Sequence, residues 1–246
     1  DVDHIIINDK KLLEEFKGAF SVLNDKKPDL FVLYDGKESM QKKFGLTKQI
    51  SELLKRKVVL ANGAYLIIDR TEALTVIDVN TGKYVGEKNL EQTVFETNCI
   101  AAKEIARQLR VRNIGGIVVV DFIDMDNPEH AKKVLDTLQE ALSHDRTKTS
   151  LIGMTPLGLV ELTRKKTRSM LDSVMLQTCP YCEGNGFVLS DEVMASMLKN
   201  KLNDVFACAD NKAVLVTVAS SVFHKIFAYR LLERECAGDW RDKRIY

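Results

Sequence analysis

Three side chains near the middle of the chain have the types and spacing of an oxygen-donor metal site. Asp78 and Asn80 stand two residues apart in the run A-L-T-V-I-D-V-N, Ala73 to Asn80, and Asp121 interrupts the apolar run G-I-V-V-V-D-F-I-D, Gly116 to Asp124. Alternate residues of a strand share a face, so Asp78 and Asn80 project the same way. A carboxylate within an apolar strand is costly unless it is solvated, paired or bound to a metal. Two carboxylates and an amide brought together suit Mg²⁺ or Mn²⁺, hard ions that take one or two carboxylates and leave the rest of their shell to water and phosphate oxygens. The bland alternative is that both aspartates cap the helices that follow their strands.

A second group is softer. Cys179-Pro180-Tyr181-Cys182 runs into Glu183-Gly184-Asn185-Gly186, a tight knuckle that offers two thiolates to one metal. Structural Zn²⁺ takes four ligands. Cys99, Cys208 and Cys236 are isolated, so either two of them fold back or a second copy of the chain supplies the other pair. The second option is favoured, because the knuckle holds half a site. A redox C-x-x-C usually opens a helix, which Gly184 and Gly186 argue against. A third group is basic: Arg164, Lys165, Lys166 and Arg168 are either a phosphate-contacting groove or a solvated face.

Elements must bring the carboxylates together. A helix from Leu90 to Arg112, with Asn89 as N-cap and Ala101, Ala102, Ile105, Ala106 and Leu109 as its apolar face, separates the two strands and stops at Asn113 and Gly115-Gly116. Strand, helix, strand is a crossover unit, which makes the flanking strands parallel and brings Asp78, Asn80 and Asp121 to one sheet edge. Before it, Val58 to Leu60 and Ala64 to Ile68 read as a meander around Asn62-Gly63. Asp1 to Asp35 reads strand, helix, strand; Glu38 to Lys57 reads as one helix with Lys55-Arg56-Lys57 as its solvated basic end. Beyond Asp124, Asn127 caps a helix with Pro128 at its first position, running to Ser143. Lys148 to Met154 reads as a strand, and Leu159 to Met170 as a helix. Ser190 to Phe206 (helix), Ala213 to Val218 (strand) and Ser220 to Leu232 (helix) form a small α/β appendix.

Size and charge bound the possibilities. The 246 residues are 45% hydrophobic and 29% charged, ordinary for a globular chain of one large domain or a few smaller units. The net charge of +1 leaves no global basic footprint, so nucleic-acid binding must rest on local patches. No apolar run approaches the ~20 residues of a membrane helix. Five cysteines, an odd number, fit a reducing cytoplasm with a metal site better than a disulfide scaffold. The chain opens on Asp1 and closes on Ile245-Tyr246, which reads as a fragment at both ends.

T-E-A-L-T-V-I-D-V-N, F-E-T-N-C-I-A-A-K-E-I-A-R-Q-L-R, G-G-I-V-V-V-D-F-I-D-M and C-P-Y-C-E-G-N-G together resemble the ribonuclease E/G family of bacterial endoribonucleases, from about Val59 to Gly186. The resemblance implies an α/β fold: a ribonuclease H-like subdomain over residues 1–60, a DNase I-like catalytic subdomain over 61–175, a zinc link over 176–189, and a small dimerisation domain, cut short, over 190–246. It implies Mg²⁺ on Asp78 and Asp121 with Asn80 in support, Zn²⁺ on Cys179 and Cys182 shared with a second protomer, and cytoplasmic cleavage of single-stranded RNA in rRNA processing and mRNA decay that leaves a 5′-phosphate and a 3′-hydroxyl. Family members carry, ahead of this region, an OB-fold and a pocket for a 5′-monophosphate, which the chain does not show. Lys148 stands where the E branch has an Arg that contributes to that pocket. Lys binds phosphate as a point charge and not as a fork. The alternative function is an RNA-binding scaffold whose site is incomplete without those parts.

Overall fold

The computed structural model describes residues 3–21, 30–82, 90–208, 212–230 and 244–246. Asn89, Lys83, Leu232 and Cys236 lie outside them, and with them the expected cap of the central helix. The chain divides into two compact units, Asp1–Leu176 and Gln177–Tyr246.

The first unit begins with β1 (Ile5–Ile7), α1 (Lys10–Ser21) and β2 (Phe31–Leu33); β1 and β2 pair in parallel over a small core of Ile7, Leu13, Leu30 and Phe31. Two short helices follow, α2 (Met40–Lys43) and α3 (Leu46–Leu53), in place of the single helix expected from Glu38 to Lys57. Gly45 separates them at φ 61, a left-handed conformation that glycine takes without a Cβ clash. Lys57 is accordingly not a helix end but the first residue of a strand.

A six-stranded sheet dominates. Its strands are β3 (Lys57–Val59), β4 (Tyr65–Arg70), β5 (Leu74–Asn80), β6 (Gly116–Asp121), β7 (Thr149–Met154) and β8 (Leu159–Arg164), in the order β3-β4-β5-β6-β8-β7. Only β5 and β6 pair in parallel; the other neighbours are antiparallel. The crossover between them is α4 (Leu90–Val111), and α5 (Pro128–Ser143) follows β6, with Asn127 Oδ1 accepting from Glu129 N as the expected cap. The alternation of the strands decides which face the helices cover. Leu66, Ile77, Val118, Val120, Val160 and Leu162 are fully buried with Ala101, Ala102, Ile105 and Leu109 of α4 and Val134 and Leu138 of α5. Such residues each contribute about 1.5–3 kcal/mol of transfer free energy. The other face, including Tyr65, Val76, Asp78, Asn80, Ile117, Asp121 and Glu161, has no fully buried residue.

Leu159 to Arg164 corrects the helix expected there. L-V-E-L-T-R alternates with period two, its burial alternates with it, and Gly158 at φ 83 turns the chain back from β7. A short α6 (Leu171–Met175) closes the unit. The strand reassigns Arg164. Its side chain points to the covered face and is 4% exposed, against 5% for Asp145. Arg164 Nε donates to Asp145 Oδ2 (2.8 Å), Nη1 to Ile114 O (3.0 Å) and Asn113 Oδ1 (3.2 Å), and Nη2 to Thr147 Oγ1 (3.3 Å). Its donors therefore tie together the link from α4 to β6 and the link from α5 to β7, and it is no RNA contact. Asn113, at φ 52, completes this hub by donating to Arg168 O (2.9 Å) and Ser169 O (3.1 Å).

The second unit holds the cysteine knuckle, then α7 (Asp191–Cys208), β9 (Ala213–Val214), α8 (Ser220–Ala228) and β10 (Arg244–Ile245), with β9 and β10 parallel. Ala195 of α7 packs on Val222 and Ile226 of α8. Mixed α/β architecture with a mixed sheet is thus the observed class.

Burial pushes the Asp145 carboxyl up, but the Arg164 guanidinium and the Thr147 N–H outweigh it and hold it below the usual value of 3.8. A depressed carboxylate stabilises the fold above its unfolded pKa and loses that contribution as pH falls through the folded one. Replacing Arg164 with Met should cost about 3–5 kcal/mol at pH 7 by stranding a buried charge. Urea titrations should show that gap narrowing in acid, as Asp145, pushed up by burial once its guanidinium partner is gone, protonates first in the variant.

Candidate active site

Asp78 and Asp121 are direct register partners on adjacent parallel strands, at or beside the carboxyl ends of both. The crossover expected from sequence is what places them abreast. Asn80 Nδ2 donates to Asp78 Oδ2 at 2.7 Å, which fixes one carboxylate oxygen. Burial pushes the Asp121 carboxyl up, and the charges of Asp78 and Asp124 push it further. The corner therefore carries more negative charge than its own donors balance.

α4 holds this corner from behind. β6 ends at Asp121 rather than running to Asp124 as expected, and the next turn is captured by a buried side chain. Asn98 Nδ2 donates to Ile123 O (2.8 Å), while Asn98 Oδ1 accepts from Ile123 N (3.1 Å). One residue earlier, the buried Thr97 Oγ1 accepts from Asn62 Nδ2 (3.0 Å), and Asn62 Oδ1 accepts from Ala64 N (3.2 Å). So one helical turn clamps the loop after β6 and the β3–β4 turn together. A Cβ on Gly82 would lie 2.8 Å from Gly63 O, which makes glycine obligatory where the chain leaving β5 crosses that turn. Thr97 and Asn98 were not singled out from sequence. Their signal is two polar residues on the apolar face that continues through Ala101 and Ala102.

The expected phosphate contacts fall elsewhere. Lys148, Lys165, Lys166 and Arg168 are exposed at the opposite end of the sheet, where Lys165 N donates to Lys148 O (3.0 Å). Gly116 rather than Asp121 is their neighbour on β6, five residues or roughly 16 Å from the carboxylates. Lys166 lies over the glycine pair: a Cβ on Gly115 would come 3.0 Å from its Cγ.

Among the described residues no group of three or more His, Cys, Asp and Glu side chains is placed to hold a metal. Asp78 and Asp121 nevertheless fit Mg²⁺, which needs only one or two carboxylates, and their uncompensated repulsion is what a divalent cation would relieve. In the knuckle, Cys179 is exposed and Cys182 half-buried. Backbone N–H groups of Gly186 and Gly184, with the Cys179 thiol, hold the Cys182 thiol below its usual range. Two thiols are half of a tetrahedral zinc set. Cys99 is different: burial in α4 pushes its thiol up.

The profile described as Ribonuclease E/G family matches residues 1–167. Ribonuclease G of Salmonella typhimurium is 45% identical over 189 residues, 77% of this chain and 39% of that protein. Ribonuclease G of Haemophilus influenzae is 40% identical over 222 residues, 90% of this chain and 45% of its own length. Ribonuclease E of a Nostoc species is 48% identical over 143 residues, 58% of this chain and 21% of that one. The chain thus spans less than half the length of these relatives.

Replacing Asn98 with Ala removes both bonds to Ile123 and leaves that buried amide pair unmet. A loss of about 2–3 kcal/mol is expected in urea unfolding. Asn98→Asp, which keeps the acceptor but buries a carboxylate against the Ile123 carbonyl oxygen, should be at least as costly as Asn98→Ala at neutral pH.

Proposed function

This chain belongs to the ribonuclease E/G family, and on that premise we propose that it is the catalytic part of an endoribonuclease that hydrolyses single-stranded RNA. The observation that carries the proposal is the abreast pair Asp78 and Asp121 on an uncovered sheet face. We assign residues 1–60 to a ribonuclease H-like subdomain, 61–175 to a DNase I-like catalytic subdomain, 176–189 to a zinc link and 190–246 to a small dimerisation domain. The setting is cytoplasmic rRNA processing and mRNA decay; no helix of the described residues is long and apolar enough to cross a membrane.

Asp78 and Asp121 would hold Mg²⁺ or Mn²⁺. When bound, such an ion supplies Lewis-acid stabilisation of charge building on the phosphate oxygens and acidifies a water. The chain's own residues do the positioning. Asn80 locks the rotamer of Asp78, and Asn98 fixes the turn that follows Asp121, so both carboxylates reach the phosphate without reorganising. Cleavage by water leaves a 5′-phosphate and a 3′-hydroxyl. Lys148, Lys165 and Arg168 would bind backbone phosphates farther along the strand, exposed cations acting at the far end of the sheet. Arg164 has no part in this. Cys179 and Cys182 would hold Zn²⁺ together with the same pair from a second protomer.

A 5′-monophosphorylated single-stranded RNA should be cut with Mg²⁺ and not with EDTA, and Asp78→Ala or Asp121→Ala should lower kcat by ~10² or more. Single-stranded DNA cut equally well would widen the substrate class. RNA binding without cleavage would favour a scaffold reading. Normal cleavage by folded Asp121→Ala would remove the assignment altogether. For the zinc link, chelation or Cys179→Ser should convert a dimer holding one zinc into monomers by light scattering.

A further inference from the structure

An aromatic ring and a cation stand beside the carboxylates and take no part in the mechanism above. Tyr65 opens β4 directly opposite Asn80, with Ile67 opposite Asp78. Directly paired residues point to one face with Cβ atoms about 4.5–5.5 Å apart. Tyr65 therefore shares the open face with Asp78, one strand over and two residues along, on the order of 8 Å away. Lys57, at the start of β3 and opposite Ile67, lies on the same face, with its Nζ 3.6 Å from the centroid of the Tyr65 ring. The ring is half-buried, and its hydroxyl has no hydrogen-bond partner among the described residues.

The surroundings continue outward with positive charge. A groove of about 850 Å³ runs along β3 between α3 and α4 and is lined by Lys48, Lys55, Lys57 and Arg107, with Glu52 and Glu104. Lys55 pairs with Glu52 (2.6 Å) and Arg107 with Glu104 (2.8 Å). Lys48 and Lys57 have no carboxylate partner among the described residues, so the groove keeps two cations free for phosphate. A path across the open face thus passes from Asp121 and Asp78 to Tyr65 and Lys57, and the groove with Lys48 lies beyond the β3 edge, on the side of α4.

We propose that Tyr65 and Lys57 form the subsite for the nucleotide next to the scissile phosphate, the base stacking on the Tyr65 ring and the Lys57 ammonium turning from the ring to the adjoining phosphate. This subsite rests on the nuclease reading of Asp78 and Asp121. Stacking on a single ring accepts every base, because every base has a π face, so the subsite grips single strands with little sequence preference. A duplex, whose bases are already stacked on one another, cannot use it. The cation–π contact keeps Lys57 at hand without a competing carboxylate.

The test uses the zinc-loaded chain and a short 5′-monophosphorylated single-stranded RNA whose cut site has been mapped. Tyr65→Leu should raise KM roughly 5- to 20-fold with kcat within about twofold, and Tyr65→Phe should restore it. In Asp121→Asn protein, 2-aminopurine placed beside the cut site should be quenched on binding, and Tyr65→Leu should abolish the quenching. Lys57→Gln should reduce the salt slope of binding by about 0.7, one phosphate contact on a single strand. Wild-type KM and quenching in a folded Tyr65→Leu chain would overturn the subsite while leaving the carboxylates untouched. Unimpaired cleavage by Asp121→Ala would instead overturn the nuclease reading. If the chain binds RNA without cutting it, quenching alone decides, and if Tyr65→Leu fails to fold, an unchanged salt slope in Lys57→Gln still overturns the subsite.

Discussion

Two like charges held side by side are the constraint around which this unit is built. Asp78 and Asp121 occupy paired positions on neighbouring parallel strands, and burial, with the charges of Asp78 and Asp124 beside it, pushes the Asp121 carboxyl up. Left to itself, a chain would relax such a pair by slipping register or swinging a side chain away. It is prevented from doing so in three places. Asn80 holds Asp78 by hydrogen bond, Asn98 holds the turn after Asp121, and the close-packed face of Ile77, Val118 and Val120 against α4 fixes the register between them. The apolar core is thus what allows an unfavourable electrostatic arrangement to persist at the surface.

Basic side chains in this protein have two separate uses, and position in the sheet tells them apart. Arg164 faces the helices and spends every donor on chain links, whereas Lys148, Lys165 and Arg168 begin where the strands end and stay in water. A buried guanidinium of this kind is matched to a carboxylate and carbonyls in fixed directions, a task for which a lysine has the wrong shape. Lys57 falls between the two classes, held by a ring rather than by a counter-charge.

Much of this was legible in the sequence, and the failures share a cause. The crossover from Ala73 to Asp121 could be read because each element is long and strongly periodic: a 22-residue helix between two apolar strands. The cap at Asn127 was legible for a local reason, since Asn followed by Pro is a helix start whatever surrounds it. Leu159 to Arg164 was misread because the basic run after it, Lys165 to Arg168, hid a six-residue alternation behind an apparently helical span. Glu38 to Lys57 was misread because Gly45 can be passed over in a helix on propensity, but here it adopts a left-handed backbone that ends one. The roles of Asn98 and Thr97 depend on which loops α4 packs against. That is tertiary information which no local pattern carries.

The glycine pair between α4 and β6 has a consequence for how this region tolerates change. A Cβ on Gly115 would press on the Lys166 backbone, and Gly116 holds φ 101, a conformation that side chains rarely adopt, so the connection resists thickening. Nor can it lengthen: one inserted residue before Val118 would turn every side chain of β6 to the other face, sending Asp121 inward and Val120 outward. The link therefore works as a ruler. Homologous chains should vary freely in the loop between β7 and β8, yet keep the count from Asn98 to Asp121 unchanged, because that count alone converts a packed helix into the alignment of two carboxylates.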